Sequence, residues 1–270
     1  MQSHIESGTE LFARLNSKPK LCKLESTLFL EGPRNTDIIE IGGDRSTGKT
    51  LLLTQMLANC ILPNYHRAAR IQGCDASAIL INTDHHFEVS KLATLMSDII
   101  DTVDNVTLAS KAIAIDLDKV AVVQNSLHNL RIIDCYDSEQ FCLTLRTLDD
   151  IFLDNTKIAL LAIDSIAAYY WQDCEDDVIT VDTYVKKLIK LIKTHTTRFN
   201  VVTIYTRLYE DMYKQAKNLT NDIDYKIQLC RVRDSKNLLC TLKTDGAKIT
   251  KKICYSILSN GIKWRIDEGG

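Results

Sequence analysis

An α/β domain on a mostly parallel sheet, with an antiparallel extension at its C-terminal edge, is the fold class this sequence predicts. Three observations predict it. Strand-like apolar runs alternate with helix-length segments from Asp37 to about Arg207. A glycine-containing turn at residues 43–50 joins the first of these runs to a helical segment. Beyond Arg207 the texture changes to short strand-like runs separated by hairpin signals.

Residues 1–36 read as an N-terminal linker or interface segment ahead of one core domain, residues 37–270. Runs at 37–41, 77–81, 130–133, 158–163 and 200–205 are short and nearly unbroken, as parallel strands covered on both faces are. A helix leaves the turn at residues 51–57. Residues 98–124 are helical by composition but offer no clear point of division. Phe141, Leu145, Leu148, Ile151 and Phe152 place a helix on the core. Val181, Val185, Leu188, Ile189 and Ile192 recur at the spacings of one buried helix face. Residues 208–225 read as a polar helix followed by a loop. Strands are then expected at 227–233, 238–243, 253–258 and 262–266, with turns at Asp245-Gly246 and Asn260-Gly261. Trp171 and Trp264 read as packing or interface residues.

A chain of 270 residues is long enough for one large α/β core. Its formal charge of −2 gives no global attraction to nucleic acid, so any such contact requires a local patch. One is present: residues 226–252 carry Lys226, Arg231, Arg233, Lys236, Lys243, Lys248, Lys251 and Lys252 against Asp234 and Asp245. Contact with single-stranded DNA and a solvated hairpin face are both open readings of it. The nine cysteines show no Cys-x-x-Cys or zinc spacing, which fits a reducing compartment. Cys60, Cys135, Cys142 and Cys230 read as small buried hydrophobes. The polar N-terminus shows no signal peptide, and no run reaches the roughly 18 apolar residues of a membrane helix. The expectation is a soluble intracellular protein without membrane contact.

The turn Gly43-Asp44-Arg45-Ser46-Thr47-Gly48-Lys49-Thr50 fits the phosphate-binding pattern Gly-x4-Gly-Lys-[Ser/Thr] at every defined position. Such a turn aims backbone N–H groups at an anion, and the helix N-terminus adds partial positive charge. Lys49 would reach the terminal phosphates, and the Thr50 hydroxyl would hold Mg²⁺. A second acidic residue at the end of a neighbouring strand completes such a site, and Asp164, closing the run 158–163, is the candidate. Asp164 could instead cap the helix that follows. Asp84, after the strand 77–81, is the candidate base for orienting water. The adjacent His85-His86 pair points to opposite sides of an extended segment and has no third ligand near it in sequence, which argues against a metal site.

No Asn-Lys-x-Asp base-reading motif is present, and Ser165 rather than an acidic residue follows Asp164. The strand ending Asp164-Ser165 and continuing Ile166-Ala167-Ala168, with the segment 79–87, resembles the RecA-like recombinase family. Residues 6–15, Cys60-Ile61-Leu62-Pro63, Thr83-Asp84-His85-His86-Phe87 and the run from Asp164 to Tyr169-Tyr170-Trp171 narrow the resemblance to the eukaryotic recombinase paralogues. The resemblance implies a P-loop RecA-like core and a nuclear homologous-recombination factor. It implies assembly with other recombinase paralogues in a hetero-oligomeric complex, each ATP lying between neighbouring protomers. Carried onto this chain, residues 43–50 would bind ATP and Asp164 would serve Mg²⁺.

Two departures bear on hydrolysis. Asp84 stands where active recombinases carry a catalytic Glu, and one methylene less shortens its reach to water. Thr206-Arg207 places an Arg where they carry a nucleotide-sensing Gln. Both leave phosphate binding alone. The expectation is a subunit that binds ATP, hydrolyses it weakly or not at all, and helps load or stabilise a recombinase on single-stranded DNA. The alternative is an active DNA-stimulated ATPase that contacts DNA directly. A small-molecule kinase would need an Arg-rich lid and an acceptor pocket, and the sequence offers neither.

Overall fold

Among the described residues six strands run parallel, and three more continue the same sheet antiparallel. The computed structural model describes residues 7–66, 70–109, 118–174, 179–209, 222–232, 238–244 and 248–265. The parallel strands are β1 (Ile38–Gly43), β2 (Ser77–Asn82), β3 (Leu130–Asp134), β4 (Ile158–Asp164), β5 (Val202–Leu208) and β6 (Tyr225–Arg231). The antiparallel ones are β7 (Leu238–Thr244), β8 (Lys248–Leu258) and β9 (Gly261–Arg265). Their order is β3-β2-β4-β5-β1-β6-β7-β8-β9. The extension therefore begins one strand later than the hairpin signals imply: β6 is parallel to β1 and only its other edge is antiparallel.

Helices cover both faces of the parallel part. On one side, α2 (Lys49–Ile61), α3 (Val89–Ala109) and α4 (Lys119–Leu127) close the first apolar cluster. On the other, α5 (Ser138–Arg146), α6 (Leu148–Asp154) and α8 (Val181–Thr196) close the second. Two short helices complete the order, α1 (Gly8–Asn16) and α7 (Tyr170–Asp173). Burial on both faces explains why β1, β2 and β4 are buried along their whole length.

The α8 face is the one its spacing predicts, with Val185, Leu188, Ile189 and Ile192 buried. Thr180 caps its N-terminus by accepting from the Thr183 amide at 3.3 Å. Asn200, left-handed at φ 54°, ends the turn after it, so β5 starts at Val202 rather than at residue 200. The apolar series from Phe141 to Phe152 divides into α5 and α6 at Thr147. The Thr147 hydroxyl donates back to the Leu143 and Thr144 carbonyls at 3.2 and 3.1 Å, a side-chain bond that bends a helix. The stretch 98–124 spans the end of α3 and most of α4, with residues 110–117 outside the description. The polar helix expected within 208–225 falls mostly on residues 210–221, also outside it, as does the Asp245-Gly246 turn. The Asn260-Gly261 turn is present, Gly261 taking φ 117° between β8 and β9.

Residues ahead of β1 pack into the core as well. Leu21, Leu24, Leu28 and Phe29 are buried in the first cluster, and each such side chain contributes about 1.5–3 kcal/mol. Cys60 and Cys135 are buried, Cys142 and Cys230 half-buried. No helix among the described residues is long and apolar enough to cross a membrane.

Glu25 in this N-terminal segment is buried with only neutral partners: Thr27 N donates to its Oε1 at 3.2 Å and Gln55 Nε2 to its Oε2 at 3.1 Å. Burial pushes its carboxyl up, while Thr27, Trp264 and Gln55 oppose this in part. The folded chain thus keeps this proton at a pH where the unfolded chain has lost it. Stability from this group therefore declines as pH rises from the ordinary value of 4.5 through the raised folded one. Glu25→Gln should flatten that decline in urea titrations across this range and raise the midpoint at neutral pH. An unchanged slope would show that Glu25 does not titrate with folding.

Candidate functional site

Parallel pairing brings the C-terminal ends of β1, β2, β4 and β5 to one edge of the sheet, where open α/β sheets bind ligands. The candidate residues gather there. The turn 43–50 leaves β1 and enters α2, whose N-cap Gly48 is left-handed at φ 90° with no side chain capping the helix. The first-turn amides of α2 therefore lack intrahelical partners. A Cβ on Gly43 would lie 2.2 Å from the Leu229 carbonyl oxygen of β6, so only glycine lets the strand turn there.

Within the turn, Thr47 is buried, and its hydroxyl donates to the Asp44 carbonyl at 2.8 Å. Lys49 Nζ donates to the same oxygen at 2.8 Å. Arg45 and Ser46 are exposed, while Asp44, Gly48, Lys49 and Thr50 are half-buried. A cleft of about 390 Å³ opens against the turn, lined by Ser46, Lys49, Thr50, His86, Glu88 and Lys91 among others. The Lys91 ammonium donates to the Ser259 carbonyl in the β8–β9 turn. That hairpin also holds the phosphate-loop candidate, because the Tyr255 hydroxyl donates to the Thr47 carbonyl at 2.7 Å.

Asp164, at the end of β4, is buried. Its Oδ1 accepts from the Thr206 hydroxyl of β5, and its Oδ2 has no hydrogen-bond partner among the described residues. A buried carboxylate oxygen without a donor is costly, and a cation or its water would satisfy it. Its carbonyl accepts from the Thr83 and Asp84 amides at 2.8 and 3.0 Å, which ties β4 to the segment after β2. Asp164 does not act as a helix cap, since α7 begins at Tyr170 with Tyr169 as N-cap.

Lys49, Asp84 and Asp164 lie within electrostatic reach of one another. Burial depresses the Lys49 ammonium, against the opposing pull of Asp164, Asp44 and Asp84. Partial desolvation and then the Asp164 charge push the Asp84 carboxyl above the usual range, with His86, Lys49 and His85 countering. The two histidines go separate ways. His85 stacks on Tyr136 with centroids 4.5 Å apart, and His86 Nδ1 contacts the Asp84 carbonyl.

Arg207 does not face this site. Strand alternation turns Thr206 towards Asp164 and Arg207 to the opposite face of the sheet. There Arg207 bonds Asp182 of α8 at 2.5 Å and lies 3.8 Å from Glu40 in the middle of β1. Glu40 is fully buried. It accepts from Tyr205 at 2.9 Å and from Tyr209, and pairs with Lys226 of β6 at 3.1 Å. Burial pushes its carboxyl up, but Lys226, Arg207, Tyr209 and Tyr205 outweigh that and hold it below the ordinary range.

Sequence reasoning missed Glu40, Thr206 and Tyr255. One signal existed for Glu40, a lone charge inside Ile-Ile-Glu-Ile. Its partners on β5 and β6 are distant in sequence and give none.

No protein-family profile matches the chain. Over 275 residues it is 27% identical to the DNA repair protein XRCC2 of Mus musculus, covering 96% of this chain and 90% of that protein. The DNA repair protein XRCC2 homolog of Arabidopsis thaliana is 21% identical over 221 residues, covering 68% of this chain and 58% of that protein. The resemblance carried by the motifs is thus one to an XRCC2-type recombinase paralogue, and it runs nearly end to end.

Glu40→Ala would leave the half-buried Lys226 without its carboxylate and Arg207 with Asp182 alone, and should cost about 3–5 kcal/mol in urea unfolding. The Glu40 contribution is present above the ordinary value of 4.5 and is lost as pH falls through the depressed folded value. Glu40→Gln should therefore weaken the acid-induced loss of stability relative to wild type. Equal acid sensitivity in the two proteins would refute the assignment.

Proposed function

We propose that this chain is an ATP-binding DNA repair protein of the homologous-recombination type, working in the nucleus in a complex with other recombinase paralogues. The observation that carries the reading is the buried Oδ2 of Asp164, without a partner among the described residues, at the same sheet edge as Lys49 and the uncapped start of α2. The donor set fits a nucleotide with its cation. Residues 43–50 would hold the triphosphate through backbone amides and the Lys49 ammonium, and Thr50 and Asp164 would hold Mg²⁺. A bound Mg²⁺ supplies charge neutralisation on the phosphate oxygens. The remaining roles belong to the chain. Thr206 orients Asp164, Tyr255 and Thr47 brace the turn, and Asp84 is the group available to receive a proton from water.

Weak hydrolysis belongs to this reading. Asp84 has the shorter acidic arm and bends back through its amide to the Asp164 carbonyl. Arg207, committed to Glu40 and Asp182, offers nothing to a terminal phosphate. The length of the similarity to mouse XRCC2 supports the repair role and assembly with related subunits. Contact with single-stranded DNA through the 226–252 region is also part of the proposal.

Two measurements test it. A fluorescent ATP analogue with Mg²⁺ should bind the wild-type chain, and Lys49→Ala and Asp164→Ala should each abolish binding while retaining the wild-type unfolding transition. Turnover should stay well below about 1 per second, the low end of ordinary enzymes, and Asp84→Glu should raise it. Failure of the wild type to bind the analogue would overturn the nucleotide reading. Turnover above that level, accelerated by DNA, would replace weak hydrolysis with an active ATPase.

A further inference from the structure

The four strands at the C-terminal edge have an unusual charge pattern. β6, β7, β8 and β9 together carry Lys226, Arg231, Lys243, Lys248, Lys251, Lys252, Lys263 and Arg265, and no Asp or Glu. The pairing register sorts these cations by face. Lys226 lies opposite Lys243, Lys252 opposite Thr241, Arg265 opposite Cys254, and Lys263 opposite Ser256. Opposed residues share a face, as do residues two apart on a strand. Lys226, Lys243, Lys252, Lys263 and Arg265 thus stand on one side, with Gln228, Thr241 and Ser256 among them. The other side carries Cys240, Leu242, Tyr255 and Ile262, buried in the first apolar cluster.

Only part of the 226–252 count reaches this face as free charge. Lys226 is tied to Glu40 at 3.1 Å, and Lys251 turns to the packed side, donating to the Thr27 carbonyl at 2.7 Å. Arg233 and Lys236 lie outside the described residues. Lys263 and Arg265, beyond that count, join the row instead. Lys252, Lys263 and Arg265 are exposed and Lys243 is half-buried. Among the described residues none of these four forms an ion pair. From Lys243 to Lys252 to Arg265 the row steps diagonally across adjacent strands, about 7–8 Å at each step. That spacing is comparable to the separation of successive phosphates on an extended strand.

We propose that this face binds the phosphodiester backbone of single-stranded DNA, with Lys243, Lys252, Lys263 and Arg265 as the phosphate contacts. The inference deepens the DNA repair reading and rests on it for the choice of nucleic acid. A docked protein would look for aromatic anchors, yet Tyr255 and Trp264 of these strands face the packed side. The half-buried Ser256 instead supplies a neutral hydrogen-bonding group between the charges. Lys243 sits directly opposite Lys226, and a bound phosphate would relieve this like-charge contact. A single row of cations meets one backbone and leaves the second strand of a duplex without contacts.

The test uses the full chain with labelled oligothymidylate, its duplex with oligodeoxyadenylate, and labelled polyglutamate, followed by fluorescence anisotropy against salt. Lys252→Ala/Lys263→Ala should weaken oligothymidylate binding on the order of tenfold and reduce the log–log salt slope by about 1.4, two phosphate contacts at about 0.7 each. Lys187→Ala/Lys190→Ala on α8 removes equal charge elsewhere and should leave both unchanged. Binding of the ATP analogue, measured on every variant, should also be unchanged. Retained oligothymidylate affinity in the β8/β9 variant would overturn the proposal, and intact nucleotide binding beside it would leave the ATP reading standing. Tighter binding of duplex than of single strand, or polyglutamate binding in place of oligothymidylate, would overturn it too.

Discussion

A single buried carboxylate in the middle of β1 holds the sheet together where it matters most. Glu40 gathers a lysine from β6, an arginine and a tyrosine from β5, and Tyr209 just beyond β5. Hydrophobic packing is non-directional and would tolerate small slides of β1 against either neighbour. Charged hydrogen bonds to both neighbours fix it in register. Three residues further on, β1 becomes the phosphate-loop candidate, so the network sets the position from which that turn departs. The arrangement also spends Arg207 on structure, which removes it from the chemistry its sequence position invites.

On the opposite face the same strands have a different task. Asp164 is held by Thr206 through one oxygen and left open through the other, while its carbonyl anchors the segment carrying Asp84. Its charge attracts the Lys49 ammonium and repels the Asp84 carboxylate, favouring the protonated form of both. The edge is therefore arranged around one carboxylate that orders its neighbours through backbone and side chain alike. That suits holding a polyanion and its cation better than rapid proton transfer, which needs a base of full reach.

Most of the architecture was legible in the sequence because it is local. Unbroken apolar runs announced buried parallel strands, the 3-4-7 spacing announced the α8 face, and the glycine–lysine turn announced itself. Boundaries shifted where a side chain intervened, as at Thr147, whose hydroxyl competes for helix carbonyls, or Asn200, which takes a left-handed conformation. Cross-strand facts stayed hidden. Whether Thr206 or Arg207 looks at Asp164 is a matter of parity on β5, and a two-residue motif does not fix parity. The partners of Glu40 belong to strands more than 160 residues away, and no spacing rule reaches that far. The basic patch was visible as a count, but only the register separates Lys251, turned inward, from Lys252, turned outward.

The bond from Tyr255 to Thr47 spans 208 residues of chain. Closing so long a loop comes late, because its entropic cost precedes any reward. During synthesis the glycine–lysine turn thus emerges early yet lacks its brace until the β8–β9 hairpin has left the ribosome and docked. A nascent or C-terminally clipped chain would carry the whole motif in its sequence and still present an unsupported loop, which separates possession of the motif from competence to use it.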